Sequence, residues 1–423
     1  MNCRVEKSEV SGTITCPSNK SYTHRAIFLA SLADGKSIVK NILKSGDTDA
    51  TINACKNFGV EVKETGNNIT INSSGKLKID NVMIDAANSG TTIRFATAIS
   101  ALSNGKTVLS GDASLKKRPM KPLLDALESL GAKCSSNNGN PPISVSGKIK
   151  GGEIQIPGNI SSQFISALMI TAPKLENGII LNVRDNLVSK PYLDATIIAM
   201  KKFGVNVETV IPYQKYNIPE QSYKPTTFTV PSDFSSISLL LSAAVLVGEN
   251  LTIQMSMGDM PQADEAIIDI LEVMGVVITL NKNTIKIKSP AKLTGGKFDL
   301  SNSPDLLPAI AILALKTSKP IKIFNVKHAR YKETDRIKIL ARELSKLGIK
   351  VVEKNDGLIL KNSGSLTGAN LDSENDHRLF MAFCIAGMYV GNCIVSNPES
   401  VKISYPDFIQ EMKRIGCNIF LDK

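Results

Sequence analysis

CKNFGVEV, residues Cys55 to Val62, contains the unit from which the whole chain is built. An amphipathic helix runs up to Phe58, Gly59 follows, and Val60, Glu61 and Val62 then alternate between apolar and polar. A glycine just past a helix end takes the left-handed conformation without a β-carbon penalty. The alternation after it predicts a half-buried strand. The phrase returns as LESLGAKC around Gly131, MKKFGVNV around Gly204, LEVMGVVI around Gly275, LSKLGIKV around Gly348 and MKRIGCNI around Gly416. The period is about 70 residues throughout, which is the signature of an internal repeat.

A second helix recurs in the same register, with a small polar opening and an apolar continuation. Its starts are SNKSYTHRA at Ser18, NSGTTIRFA at Asn88, NISSQFISA at Asn159, SDFSSISLL at Ser232, NSPDLLPAI at Asn302 and NDHRLFMAF at Asn375. Each repeat thus holds two helices and several strands, and six repeats predict an α/β protein of two domains with three units each.

Composition narrows the functional classes. At 423 residues and 42% hydrophobic content the chain has ample core for two domains. Seven cysteines are scattered without a CxxC pair, so neither a disulfide framework nor a metal cluster is expected, and a reducing cytoplasm fits. The first eleven residues carry Arg4, Glu6, Lys7 and Glu9 and lack the apolar run of a signal peptide. The longest apolar stretch, from Ile237 to Gly248, is shorter than the roughly 20 residues of a spanning helix. A net charge of +11 suits nucleic acid or small polyanions. The tightest basic cluster is only Lys116, Lys117 and Arg118, without interleaved aromatics, so small anionic substrates are favoured over nucleic acid.

The polar helix openings matter because a helix N-terminus offers unpaired N–H groups and about half a positive charge to an anion. Capping alone explains Ser, Asn or Asp there; it does not explain added cations. PSNKSYTHRA places Lys20, Ser21 and Arg25 in and beyond one first turn, against the helix-dipole preference. NSGTTIR joins Gly90 and Thr91 to a cation, allowing close backbone approach to phosphate or carboxylate. KKRPMKP sets Arg118 beside two prolines, where a preorganised guanidinium can grip an anion through two bonds. Ser161, Ser162 and Gln163 in one motif, and Ser189 and Tyr192 in another, supply neutral donors. KETDR puts Lys332, Glu333 and Arg336 together, with Glu333 and Arg336 on one face at helical spacing and Thr334 as a candidate cap. NDHR sets His377 and Arg378 at the start of an apolar helix, and Asp305 opens another.

In this order, PSNKSYTHRA, NSGTTIR, KKRPMKP, SSQ, SKPY, KETDR, NDHR and SYPDF resemble the motifs of the 5-enolpyruvylshikimate-3-phosphate synthases, over essentially the whole chain. The resemblance implies two inside-out α/β barrel domains, each of three βαβαββ units, closing on their substrates. It places residues 19–231 in one domain, on the shikimate 3-phosphate side, and residues 1–18 with 232–423 in a discontinuous second one, on the phosphoenolpyruvate and catalytic side. It implies that shikimate 3-phosphate meets Lys20, Ser21, Arg25, Ser161, Ser162, Ser189, Tyr192 and Lys332, with Asp305 near its 5-hydroxyl. Phosphoenolpyruvate would meet Lys20, Gly90, Arg118, Gln163, Arg336 and Arg378, with Thr91 beside it. Lys20, Asp305, Glu333 and His377 are the catalytic candidates. No cofactor, metal, nucleic acid or membrane is expected, and the expected state is a cytoplasmic monomer.

Three positions depart from the family pattern. Ile403 stands where one class carries a lysine, with Lys402 one place off; His328 replaces an asparagine near the substrate; and Phe95 replaces a proline beside Gly90, the small residue linked to glyphosate sensitivity. Two other readings compete. A UDP-N-acetylglucosamine enolpyruvyl transferase typically places a cysteine on the loop equivalent to Gly111–Pro122, and no cysteine is there. An RNA-acting protein of related fold would need stacking aromatics that the chain does not supply.

Overall fold

A computed structural model describes residues 1–422 of the chain. Gly59, Gly131, Gly204, Gly275, Gly348 and Gly416 all have positive φ, between 81° and 107°. In every case the preceding helix ends two residues earlier, at Asn57, Ser129, Lys202, Val273, Lys346 and Arg414. The surroundings differ between copies. A β-carbon at Gly131 would meet nothing within 4 Å, whereas at Gly348 it would lie 2.2 Å from the Ser365 carbonyl oxygen. Gly131→Ala is therefore expected to lose only the left-handed backbone cost of about 1–2 kcal/mol, and Gly348→Ala distinctly more. Denaturant unfolding followed by circular dichroism checks this, and equal losses would contradict the steric difference.

The strands form six four-stranded sheets of one pattern, a parallel pair followed by two antiparallel neighbours. In the second repeat Val82–Asp85 runs parallel to Thr107–Ser110, which is antiparallel to Asn140–Ser146, itself antiparallel to Lys133–Asn137. The helix Gly90–Ser100 makes the crossover that a parallel pair needs, and Lys121–Ser129 leads into the hairpin. The order is βαβαββ.

The chain divides into two compact units. The first comprises Ser18–Pro231 and Gly258–Gln262. Its opening repeat borrows the strand Thr227–Thr229, which pairs in parallel with Asp34–Lys40. The second comprises Met1–Pro17, Ser232–Met257 and residues 263–422. Here Val10–Thr15 runs parallel to Gly248–Gln254, and Asn2–Val5 lies antiparallel between Cys393–Ser396 and Ile419–Asp422. The N-terminal strand thereby completes the last repeat.

Within each unit the first helices of the three repeats fill the interior and the sheets lie outside them. Ser162–Thr171 buries nine of its ten residues, and Phe234–Val247 buries all fourteen. The latter packs on Leu307–Leu313 and His377–Val390. A helix apolar on all sides belongs in an interior. Two of its four buried serines are satisfied within the helix: Ser238 and Ser242 donate to the carbonyls of Ser235 and Ser238, at 2.7 and 2.8 Å. Among the described residues no helix is long and apolar enough to cross a membrane, and all seven cysteines are free thiols.

Candidate active site

In the first unit the helix openings carry the predicted cations. Asn19 caps Lys20–Leu32 by accepting from the Tyr22 amide at 2.8 Å. The cap leaves Lys20 for another partner, Asp47, whose Oδ2 lies 2.8 Å from Nζ. Asp47 is buried and its Oδ1 has no protein partner. Arg25, one turn further on, is almost wholly buried. Its Nε donates to Thr196 Oγ1 at 2.9 Å, Nη1 to the Ser21 carbonyl at 3.0 Å and Nη2 to the Tyr192 carbonyl at 3.0 Å. Every acceptor is neutral. Burial pushes the Arg25 guanidinium down to about 10, so it remains charged at neutral pH without a carboxylate beside it. A buried cation in such surroundings favours an anion beside it.

Gly90 marks the second gathering point. A β-carbon there would lie 2.9 Å from Arg118 Nη1, 3.1 Å from Arg94 Nη1 and 3.7 Å from Gln163 Oε1. Arg118 donates to Asn88 Oδ1 at 3.1 Å, while Gln163 donates to Thr91 Oγ1 at 3.1 Å and accepts from Arg94. Ser89 caps Gly90–Ser100 and Ser161 caps Ser162–Thr171. Two helix N-termini, two guanidinium groups and an amide thus crowd around a position that only glycine leaves open, which is an anion cradle. A chain of buried hydroxyls lies behind it: Thr92 donates to Ser89 Oγ at 2.7 Å and is 2.6 Å from Thr51, whose Oγ1 is 2.6 Å from His24 Nδ1. Ser162 is buried, and Ser189 is buried in a left-handed conformation just before the helix Pro191–Lys202, which holds Tyr192.

In the second unit the acids and bases form one cluster around Arg336, which is 1% exposed. Its Nε lies 2.7 Å from Asp376, Nη1 2.8 Å from Asp305 and Nη2 2.7 Å from Glu333. Asp305 also faces Lys332 at 3.5 Å and Arg378 at 3.4 Å. Burial disfavours ionisation of Asp305, but Arg378, Lys332 and Arg336 outweigh it and hold the carboxyl well below the usual range. Asp264 goes the other way: burial, then the charge of Asp305, raise it well above an ordinary carboxylate. Ser235 donates to it.

One local expectation is corrected. The Glu333 and Arg336 pair is real, but residues 332–335 are not helical; the helix begins at Arg336 with Asp335 as its cap, accepting from the Lys338 amide at 3.0 Å. Thr334 instead donates to Asp376 at 3.2 Å. His377 is fully buried as the first residue of His377–Val390. Lys402, in the turn Pro398–Ile403, has a side chain 69% exposed and pairs with Glu399, outside the Asp305 cluster.

His328 is buried in the turn Lys327–Tyr331, where burial first, and then Lys332, push its imidazole down to about 4. Unfolded, it would take up a proton near the ordinary 6.5. Its contribution to stability is therefore full above that value and is lost as pH falls toward about 4. The expected NMR result is an imidazole that does not titrate between about pH 5.5 and 8; a midpoint above 6 would contradict the burial argument.

Two site residues, Asp47 and Asp264, escaped the sequence reading, and two more, Arg94 and Asp376, were seen only as the cation and the acid of their motifs. Arg94 and Asp376 lay inside quoted motifs, where their neighbours drew the assignment. Asp47 reads as an ordinary acid in the first turn of Gly46–Asn57, and only its contact with Lys20 sets it apart. Asp264 carried no local signal. Among the described residues no group of three or more His, Cys, Asp or Glu side chains could hold a metal ion.

Comparison with known proteins follows the same line. Residues 5–412 match the family described as EPSP synthase (3-phosphoshikimate 1-carboxyvinyltransferase). The 3-phosphoshikimate 1-carboxyvinyltransferase of Nitrosopumilus maritimus is 62% identical over 421 residues, covering 99% of each chain. That of Methanococcus vannielii is 44% identical, covering 97% of this chain and 98% of its own. Among solved structures, the EPSP synthase of Acinetobacter baumannii superposes with a TM-score of 0.83 at 25% identity, covering 100% of both chains. The enolpyruvyl transferase NikO of Streptomyces tendae shares the fold, with a TM-score of 0.79 at 17% identity, covering 99% of this chain and 98% of that one.

Proposed function

The chain belongs to the EPSP synthase (3-phosphoshikimate 1-carboxyvinyltransferase) family, and from that premise we propose how its residues transfer the enolpyruvyl group of phosphoenolpyruvate to the 5-hydroxyl of shikimate 3-phosphate. In the reaction the hydroxyl oxygen bonds to C2 of phosphoenolpyruvate and C3 gains a proton. The tetrahedral adduct then loses a C3 proton and expels phosphate, giving 5-enolpyruvylshikimate 3-phosphate. A base for the hydroxyl, a proton carrier at C3 and cations for the departing phosphate are needed.

Lys20, Ser21, Arg25, Ser161, Ser162, Ser189, Tyr192 and Lys332 are assigned to shikimate 3-phosphate. Phosphoenolpyruvate is assigned to Lys20, Gly90, Arg118, Gln163, Arg336 and Arg378. Asp305 is the base at the 5-hydroxyl, and Glu333 or Lys20 carries the C3 proton. The observation that carries this reading is Asp305 bound by Arg336 and faced by Lys332 and Arg378. In the free protein those cations make Asp305 a weak base. Substrate anions that engage Lys332 and Arg378 would weaken their hold, and the carboxylate would gain basicity as the substrates bind. Arg336, already held by three carboxylates, acts here as a fixed positive charge.

The reading takes the protein as a monomer and, with seven unpaired thiols, as cytoplasmic. The test compares acceptors. With phosphoenolpyruvate, shikimate 3-phosphate is expected to gain a carboxyvinyl group, read by mass spectrometry, and UDP-N-acetylglucosamine to remain unchanged. Transfer to the sugar nucleotide alone would overturn the assignment.

A further inference from the structure

Arg330 is absent from the site as assigned, yet it is the most fully engaged side chain beside it. It lies in the turn Lys327–Tyr331, just before the irregular residues 332–335, which include Lys332 and Glu333. Its Nη1 donates to both oxygens of Asp335, at 3.0 and 2.7 Å, closing those residues into a ring bounded by one guanidinium and one carboxylate. Nη2 donates to Glu353 at 2.8 Å and to the Lys354 carbonyl at 2.8 Å, and Nε donates to the Asn355 carbonyl at 2.9 Å. These last three acceptors sit at the end of the hairpin formed by Ile349–Lys354 and Gly357–Asn362. All three nitrogens of the guanidinium are therefore engaged. Asp335 in turn caps the helix whose first residue is Arg336.

We infer that Arg330 is a positioning residue, whose planar five-donor fork fixes residues 332–335 against the sheet and so sets where Glu333 meets Arg336 and the reacting carbon. The stretch is also tied by Glu333 to Arg336 and by Thr334 to Asp376. It lies outside regular structure, so its backbone lacks the hydrogen-bond ladder that would place a helical or strand residue. Lysine cannot take the role, because an ammonium has three donors on one atom and no fork. The inference rests on Glu333 acting at the methylene carbon.

The test is a set of variants of the full chain. Arg330→Lys is expected to lower kcat about 10- to 50-fold, with the KM for each substrate changed by less than about threefold, because geometry in the transition state is lost rather than binding. Arg330→Ala is expected to recover part of its kcat in about 10 mM guanidinium, a concentration with no effect on the parent protein. Arg330→Lys combined with Asp335→Asn is expected to lose no more than the worse single variant, since both break one connection. Soluble, folded Arg330→Lys protein with unchanged kcat overturns the inference, as do additive losses or a rise confined to KM. If Arg330→Lys fails to fold, Glu353→Gln, which keeps a neutral acceptor, is expected to lower kcat about threefold, and no change would be equally fatal. Failure of the underlying reading is distinguishable: a fully active Glu333→Gln removes the role of Glu333, whereas an inactive Glu333→Gln beside fully active Arg330 variants sinks the positioning role alone.

Discussion

Asp305→Asn is expected to lower kcat by at least about a hundredfold, the usual scale for losing a proton-transfer group. The carboxamide keeps the size of the side chain and one acceptor oxygen, so the change isolates charge and basicity. Arg336, Lys332 and Arg378 all face this carboxylate; without it their positive charges repel one another less screened. Substrate anions are welcome in such surroundings, and the KM for shikimate 3-phosphate should therefore change little or fall. Steady-state kinetics with both substrates varied, on protein shown to be folded by circular dichroism, separates the two effects. A variant that keeps more than about a tenth of its kcat shows that another group takes the hydroxyl proton.

The second large effect concerns the cradle at Gly90. Arg118 reaches it from the loop just before the helix Lys121–Ser129, followed directly by Pro119, and is held by Asn88 at 3.1 Å. Replacing it by methionine keeps an unbranched, flexible stem and removes its charge and its forked donors. A charge-assisted, two-bond grip lost from a buried site corresponds to a KM for phosphoenolpyruvate raised by about 30- to 100-fold. Affinity for shikimate 3-phosphate alone, measured by calorimetry, should stay within about threefold. Gly90→Ala approaches the same end sterically, since its β-carbon would stand 2.9 Å from Arg118 Nη1 and 3.1 Å from Arg94 Nη1. The two guanidinium groups would have to withdraw, and the KM for phosphoenolpyruvate should rise in this variant too. An unchanged KM in both variants would move phosphoenolpyruvate to another site.

What could be read along the chain was local in origin. The helix, glycine and strand phrase follows from the left-handed residue that ends each helix, and all six glycines have that conformation. The polar openings were legible because the caps Asn19, Ser89, Ser161 and Asp376 must be polar. What escaped depends on contacts between distant segments. The three carboxylates on Arg336 come from residues 305, 333 and 376, and no spacing rule joins them. Thr334 and Asp335 are both good caps by residue type, and the bonds from Asp335 to Lys338 and to Arg330 decide between them. Arg25 reads along the chain as one more cation at a helix opening; that its protein acceptors are all neutral is visible only in the fold. Asn2–Val5 likewise finds its two neighbours, Cys393–Ser396 and Ile419–Asp422, at the far end of the chain.

The central claim is that these cations and carboxylates take two small acids through a single turnover. The most direct measurement is inorganic phosphate release from phosphoenolpyruvate by the purified full chain, with and without shikimate 3-phosphate. Release that appears only when both compounds are present, with one phosphate formed for each carboxyvinyl group transferred, is the predicted result. Folded protein that releases none, or that releases it at the same rate from phosphoenolpyruvate alone, would contradict the claim.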